Sequence, residues 1–243
     1  MAIKAISFDF WGTLFTEQPG GFSLYKERRR NLLADAILSC RNVSHDEVER
    51  ACAADAESHH RTWREQHRTL NTAERVNNIL THLDVSLPDV TIAKLVVRFE
   101  EGLLERPPVL IAGAREALEE LSARYGLGII SDVGFSPGRV LKQVLEHQGL
   151  LDRFQSLVFS DEAGCSKPHS RVFEHTARAL SANPESIVHV GDLEHTDIAG
   201  AKRAGYHAIR FTGITAMQEG ETTIADFVTD DLTEVPRLVG MLG

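Results

Sequence analysis

Several apolar runs in this chain lead directly into one polar residue: Ala5-Ile6-Ser7-Phe8 into Asp9, Leu127-Gly128-Ile129-Ile130 into Ser131, and Ile187-Val188-His189-Val190 through Gly191 into Asp192, with Asp197 close behind. Lys167 follows shortly after a fourth run, Leu157-Val158-Phe159. Such a run reads as a strand that delivers a functional group to its carboxyl end, where open α/β sheets collect their ligands. In Asp9-Phe10-Trp11-Gly12-Thr13, Gly12 lets the chain turn sharply straight after the acid. Taken singly, each residue has an ordinary structural reading. Asp9 is an acid closing a surface strand, Ser131 a turn or cap hydroxyl, Lys167 a solvated lysine before Pro168, and Asp197 a first-turn acid favoured by the helix dipole. Taken together, acids, a hydroxyl and an amine are the groups that a magnesium-dependent phosphoryl-transfer site needs.

These residues can converge only if a parallel sheet carries them. From residue 107 onward the pattern alternates between strands and helices of apolar 3.6 periodicity, such as Ala114, Ala117, Leu118 and Leu121, which predicts an α/β fold: a Rossmann-like parallel sheet covered by helices on both faces. Between 17 and 106 strand signals are missing and helical spacing dominates. Leu24, Leu32, Ile37 and Leu38 mark a first helix, Ser44-His45-Asp46-Glu47 and Asn71-Thr72-Ala73-Glu74 resemble capping boxes, and Pro88 opens a last helix. The spacing therefore predicts a core domain of residues 1–16 and 107–243, interrupted by an all-helical insertion of residues 17–106. His59, His60 and His67 within it read as solvated helix residues.

Composition narrows the partners. At 243 residues, 42% hydrophobic and 25% charged, the chain has the make-up of a soluble globular protein, and a net charge of −9 disfavours nucleic acid or an anionic membrane. Lys26-Glu27-Arg28-Arg29-Arg30 is its basic cluster and reads as a solvated helix face. No apolar run reaches the roughly 18–20 residues that span a bilayer. The N-terminus enters the first strand directly, which predicts a cytoplasmic protein. Cys40, Cys52 and Cys165 lack metal-site spacing and read as reduced thiols.

The ordered set resembles the haloacid dehalogenase superfamily, whose members carry Asp-x-Asp-Gly-Thr, a Ser or Thr closing a strand, a Lys often followed by Pro, and Gly-Asp-x-x-x-x-Asp. The counterparts here are Asp9-Phe10-Trp11-Gly12-Thr13, Ile129-Ile130-Ser131, Lys167-Pro168 and Gly191-Asp192-Leu193-Glu194-His195-Thr196-Asp197, in the family's order. The resemblance implies a covalent nucleophile at Asp9, a phosphoryl-oxygen contact from Ser131, and charge neutralisation and orientation of the nucleophile by Lys167. It implies Mg²⁺ held by Asp9, the Trp11 carbonyl and Asp192, with Asp197 binding through water or steering Lys167. Asp132, beside Ser131, is a further candidate for substrate contact. The helical insertion resembles the family's cap domain, and the expected partner is a small phosphorylated substrate of a monomeric or homodimeric hydrolase.

One position departs from the pattern. Family phosphatases have an Asp two residues after the nucleophile, which protonates the leaving group; here it is Trp11, whose indole can only donate a hydrogen bond. Losing a general acid/base typically removes about 10²–10⁴-fold of rate. Glu17, His169 or Glu194 could take the role, or the substrate could have a leaving group that departs unprotonated. Asp-x-aromatic-Gly-Thr is also similar to the family's metal-independent 2-haloacid dehalogenases, yet those lack the paired acids kept here as Asp192 and Asp197. Acids crowded beside a nucleophile without a cation would repel it, so they favour a metal-dependent phosphatase. A weakly active phospho-ligand-binding protein is the third reading.

Overall fold

The computed structural model describes residues 2–38, 40–218 and 220–243. The chain opens with β1 (Ala5–Phe8), in which every residue is buried, and a two-residue strand β2 (Phe15–Thr16). Four helices follow: α1 (Gly21–Ile37), α2 (His45–Gln66), α3 (Thr72–His82) and α4 (Asp89–Glu101). The chain then alternates through β3 (Val109–Leu110), α5 (Ala114–Ser122), β4 (Gly126–Ser131), α6 (Gly138–His147), β5 (Ser156–Phe159), the single turn α7 (Ser160–Ala163) and α8 (Ser170–Ala179). It ends with β6 (Ile187–Gly191), α9 (Ala199–Arg203), β7 (His207–Phe211), β8 (Phe227–Thr229) and α10 (Val235–Gly240).

Six strands form one parallel sheet in the order β5-β4-β1-β6-β7-β8, while β2 and β3 make a separate antiparallel pair. Burial on both faces explains why β1 and β6 are almost wholly apolar rather than alternating. The order reverses direction at β1, whose neighbours β4 and β6 come from far downstream in the chain. A doubly wound sheet opens its ligand crevice at such a switch point. Among the described residues, no helix is long and apolar enough to cross a membrane.

The chain divides into two compact units: Met1–Thr16, Val109–Asp132 and Leu145–Gly243 form the α/β unit, and Glu17–Pro108 with Val133–Val144 form the helical unit. Sequence spacing assigns Val133–Val144 to the α/β part. Its contacts explain the difference: Thr72 Oγ1 donates to the Phe135 carbonyl at 2.9 Å, Ser136 Oγ to the Glu100 carbonyl at 3.1 Å, and Arg139 pairs with Glu100 and Glu101 at 2.7 and 3.0 Å. Both capping boxes expected of the helical unit form, with Ser44 and Asn71 accepting from the Glu47 and Glu74 amides. Its core holds Leu33, Ile37, Val76, Ile79, Leu95 and Phe99. Leu24 and Leu38, expected on the apolar stripe of α1, face solvent instead, and Tyr25 takes the buried position.

Candidate active site

β1, β4 and β6 lie side by side, with Phe8 in register with Ile129 and Val190. The residues that follow are therefore neighbours at one sheet edge: Asp9, Ser131 and, one step beyond Gly191, Asp192. The Asp9 amide donates to the Val190 carbonyl at 2.9 Å, which ties the acid to β6. Lys167 enters from the loop between α7 and α8. Its Nζ donates to Asp9 Oδ1 at 2.5 Å and to Asp197 Oδ1 at 2.7 Å, and all three side chains are buried. Carboxylate oxygens of Asp9, Asp192 and Asp197 lie within 4.8 Å of one another. The sheet thus brings together residues 158 positions apart in sequence.

Two glycines make room for this packing. A Cβ on Gly12, where φ is +74°, would stand 2.6 Å from Asp192 Oδ2, and one on Gly191 would stand 2.4 Å from the Asp197 Cβ. Asp197 sits in a π-helical turn, Glu194–Ile198, that swings its carboxylate back under the strand end. Both of its oxygens are engaged: Oδ1 by Lys167 and by His189 Nε2 at 3.2 Å, Oδ2 by the Leu193 amide at 3.0 Å and the Thr196 hydroxyl at 3.4 Å. Asp192 is less committed, its Oδ2 accepting from Thr215 Oγ1 at 2.9 Å. Asp132, a candidate substrate contact by sequence, has its Oδ1 on the Lys167 backbone amide at 2.9 Å, so it fixes the loop that carries the lysine. Ser131 is buried, with its hydroxyl on the Asp132 carbonyl at 3.2 Å.

The charges do not balance. One ammonium faces three buried carboxylates, and each group's proton affinity registers the shortage. Burial is the largest influence on Asp9 and raises its pKa well above the usual value; Lys167 pulls it down while Asp197 and Asp192 push it up. Asp192 is raised to about 6 by burial and by Asp197. Burial would also raise Asp197, but Lys167 and His189 outweigh it and hold this acid below the carboxylate range. Lys167 is held above the lysine range, because Asp197, Asp9 and Asp132 overcome its desolvation. A hard divalent cation is the group this oxygen-rich, electron-rich donor set fits. Of the three acids, Asp9 and Asp192 keep an oxygen to spare for it, whereas both oxygens of Asp197 are engaged.

Sequence reasoning missed three parts of the site. Ser7 and His189 face each other in register on β1 and β6, and Ser7 Oγ lies 2.9 Å from His189 Nδ1. Burial lowers the His189 pKa, so the ring is neutral, and the tautomer with Nε2–H toward Asp197 satisfies both contacts. Polar residues inside two otherwise apolar strands were the available signal. Thr215, on the loop after β7, had none. Of the expected substitutes for a general acid, His169 caps α8 by accepting from the Arg171 amide, and Glu194 is taken up by Arg210, Thr223 and the Ile224 amide. Trp11 is half-buried with its ring edge-on to Phe10 at 5.1 Å.

The family model for haloacid dehalogenase-like hydrolases matches residues 3–205. Among curated relatives, a glyceraldehyde 3-phosphate phosphatase of Pyrococcus furiosus is 34% identical over 135 residues, covering 54% of each chain. A pyrimidine 5′-nucleotidase of Escherichia coli is 38% identical over 98 residues, covering 39% of this chain and 41% of that one. The match thus spans about half the length of the curated relatives or less. Among solved structures, a HAD phosphatase from Thermococcus onnurineus superposes with a TM-score of 0.70 at 24% identity over 98% of both chains. A 2-haloacid dehalogenase from Pseudomonas syringae gives 0.73 at 21% identity over 99% of this chain and 100% of that one. At these identities the two structures speak for the fold alone.

Proposed function

The chain belongs to the haloacid dehalogenase-like hydrolase family, and from that premise we propose that it is a magnesium-dependent phosphatase of a small phosphorylated metabolite, working through an aspartyl-phosphate on Asp9. The observation that carries this reading is the Lys167 ammonium bridging Asp9 and Asp197, beside a third carboxylate, Asp192, that forms no ion pair among the described residues. Relatives named as a glyceraldehyde 3-phosphate phosphatase and a nucleotidase support the phosphate-ester class.

In this reading Asp9 attacks phosphorus, the P–O bond to the leaving group breaks, and a water then attacks the same phosphorus to release orthophosphate and free Asp9. Lys167, fixed by Asp197 and by its own amide on Asp132, orients the Asp9 carboxylate and neutralises a phosphoryl oxygen. Ser131 donates to another once its hydroxyl leaves the Asp132 carbonyl. Asp9, Asp192 and the Trp11 carbonyl would hold Mg²⁺, which when bound would offset charge on the transferring group. Asp197 acts by steering Lys167, because its oxygens are already filled. His189 and Ser7 hold Asp197 in turn.

Trp11 sets the substrate class. With no carboxyl two residues after the nucleophile, the departing oxygen has no adjacent acid in the first motif to give it a proton, so the preferred substrate has a leaving group stable without one, such as an acyl or aryl phosphate. Turnover of acetyl phosphate, p-nitrophenyl phosphate and a sugar phosphate with Mg²⁺ tests this: the activated pair should be cleaved faster, and equal rates would overturn it. Trp11 also favours a second reading, a metal-independent dehalogenase. Halide release from a 2-haloacid in EDTA would select that one.

A further inference from the structure

Arg210 is a charged residue inside β7, 3% exposed and flanked by the buried Ala208, Ile209 and Phe211. A cation is carried into a sheet at low cost only where its charge and its donors are matched. Arg210 stands in register with Gly191, the residue before Asp192, and its guanidinium reaches three separate pieces of chain. Nε donates to the Asp192 carbonyl at 3.3 Å, Nη1 donates to Glu194 Oε2 at 3.2 Å, and Nη2 pairs with Glu221 Oε1 at 2.6 Å. Glu194 belongs to the π-helical turn after β6, whereas Glu221 belongs to the loop that joins β7 to β8.

Glu194 extends this grip on the loop. Its Oε2 also accepts from Thr223 Oγ1 at 2.6 Å and its Oε1 from the Ile224 amide at 2.9 Å, so the loop is fastened at 221 and again at 223–224. Its start is fixed as well: the Thr212 amide donates to the Thr229 carbonyl at 2.9 Å, and a Cβ on Gly213 would stand 2.6 Å from the Asp230 carbonyl. Between these anchors lies Thr215, whose Oγ1 donates to Asp192 Oδ2 at 2.9 Å. Asp192 is therefore held twice, at its carbonyl by Arg210 and at its carboxylate by Thr215.

A carboxylate meets a cation best when a partner on one oxygen fixes the plane of the group and leaves the other oxygen aimed. We propose that Thr215 is a positioning residue for Asp192, and that Arg210 is the pivot that keeps Thr215 in place by tying the β7–β8 loop to the turn after Asp192. Both act through Asp192, and so rest on its role as a magnesium ligand in the phosphatase reading.

Mg²⁺ alone is titrated calorimetrically into the metal-free full chain and its variants. Thr215→Val keeps the shape of the side chain and loses the donor, so the Kd should rise about tenfold or more, and Thr215→Ser, which keeps the hydroxyl, should bind close to the parent value. Thr215 is exposed, and the metal-free melting temperature of Thr215→Val should match the parent's. Arg210→Lys keeps a positive charge but not the fork that spans two acids, and should weaken Mg²⁺ by a similar factor. Because the two residues act in series, the double variant should bind no more weakly than the weaker single one; independent roles would multiply to about a hundredfold and would overturn the pivot role of Arg210. Mg²⁺ bound by Thr215→Val as tightly as by the parent overturns the proposal and leaves the phosphatase reading standing. A parent that binds no Mg²⁺ overturns both. A parent that binds Mg²⁺ and hydrolyses no phosphate ester counts against the phosphatase reading alone, since the titration still decides the role of Thr215.

Discussion

Lys167 concentrates the electrostatics of the site in a single ammonium, so its loss should be felt twice. Lys167→Met leaves three buried carboxylates facing one another. Its kcat/KM should fall about 10²–10³-fold, as when an oxyanion donor is removed. The metal-free variant should also unfold at lower denaturant, because a buried pair broken on one side costs about 3–5 kcal/mol. Asp192 gives the pH dependence. Its folded pKa, near 6, lies above the usual carboxylate value, so the folded metal-free protein holds a proton that the unfolded chain releases, and its stability falls as pH rises through the window from about 4 to about 6. Above that window the ionised acid is free for a cation. Stabilisation by Mg²⁺, read as the shift in melting temperature, should therefore grow between pH 5 and pH 7.5, and a flat profile would contradict the assignment. Trp11→Asp restores the carboxyl that the first motif lacks. Turnover of a sugar phosphate should rise in that variant relative to acetyl phosphate, by up to about 10²-fold.

Elements carry the site through turns that differ greatly in how well sequence announces them. The capping boxes at Ser44 and Asn71 are local patterns of four residues and could be read directly; Ser44→Ala should cost about 1 kcal/mol in a denaturation curve while kcat stays unchanged. Gly12 was legible as a turn, but its second role, leaving room for the Asp192 carboxylate where a Cβ would stand 2.6 Å from Oδ2, is a tertiary fact. Gly12→Ala should weaken Mg²⁺ affinity about tenfold by calorimetry, through the crowded carboxylate and the positive φ. The π-helical turn that aims Asp197 was not legible, because an extra residue in a helical turn leaves the spacing of apolar positions almost unchanged. Nor was the β2–β3 pair, since two residues are too few to show alternation.

The whole molecule follows a pattern that apolar periodicity exposes well: buried parallel strands alternating with amphipathic helices, and a purely helical stretch set between the first strands. That is why the α/β class and the order of the motif residues could be read from the chain, and why Asp9, Ser131, Lys167 and Asp192 were candidates before their convergence was visible. The periodicity is silent on segments held by polar contacts, such as Val133–Val144 with the helical unit, and on the loop that brings Thr215 to Asp192. It was equally silent on the stacking of Arg29, from within a charged run, on the ring of Phe135. All of the proposed chemistry rests on a covalent bond formed between Asp9 and phosphorus. Acid-quenching the enzyme during turnover of ³²P-labelled acetyl phosphate with Mg²⁺, then mapping the label by peptide digestion, reads that bond directly. The account predicts a base-labile phosphoryl group on the peptide containing Asp9 and neither label nor turnover in Asp9→Asn; orthophosphate released at the parent rate by Asp9→Asn would contradict it.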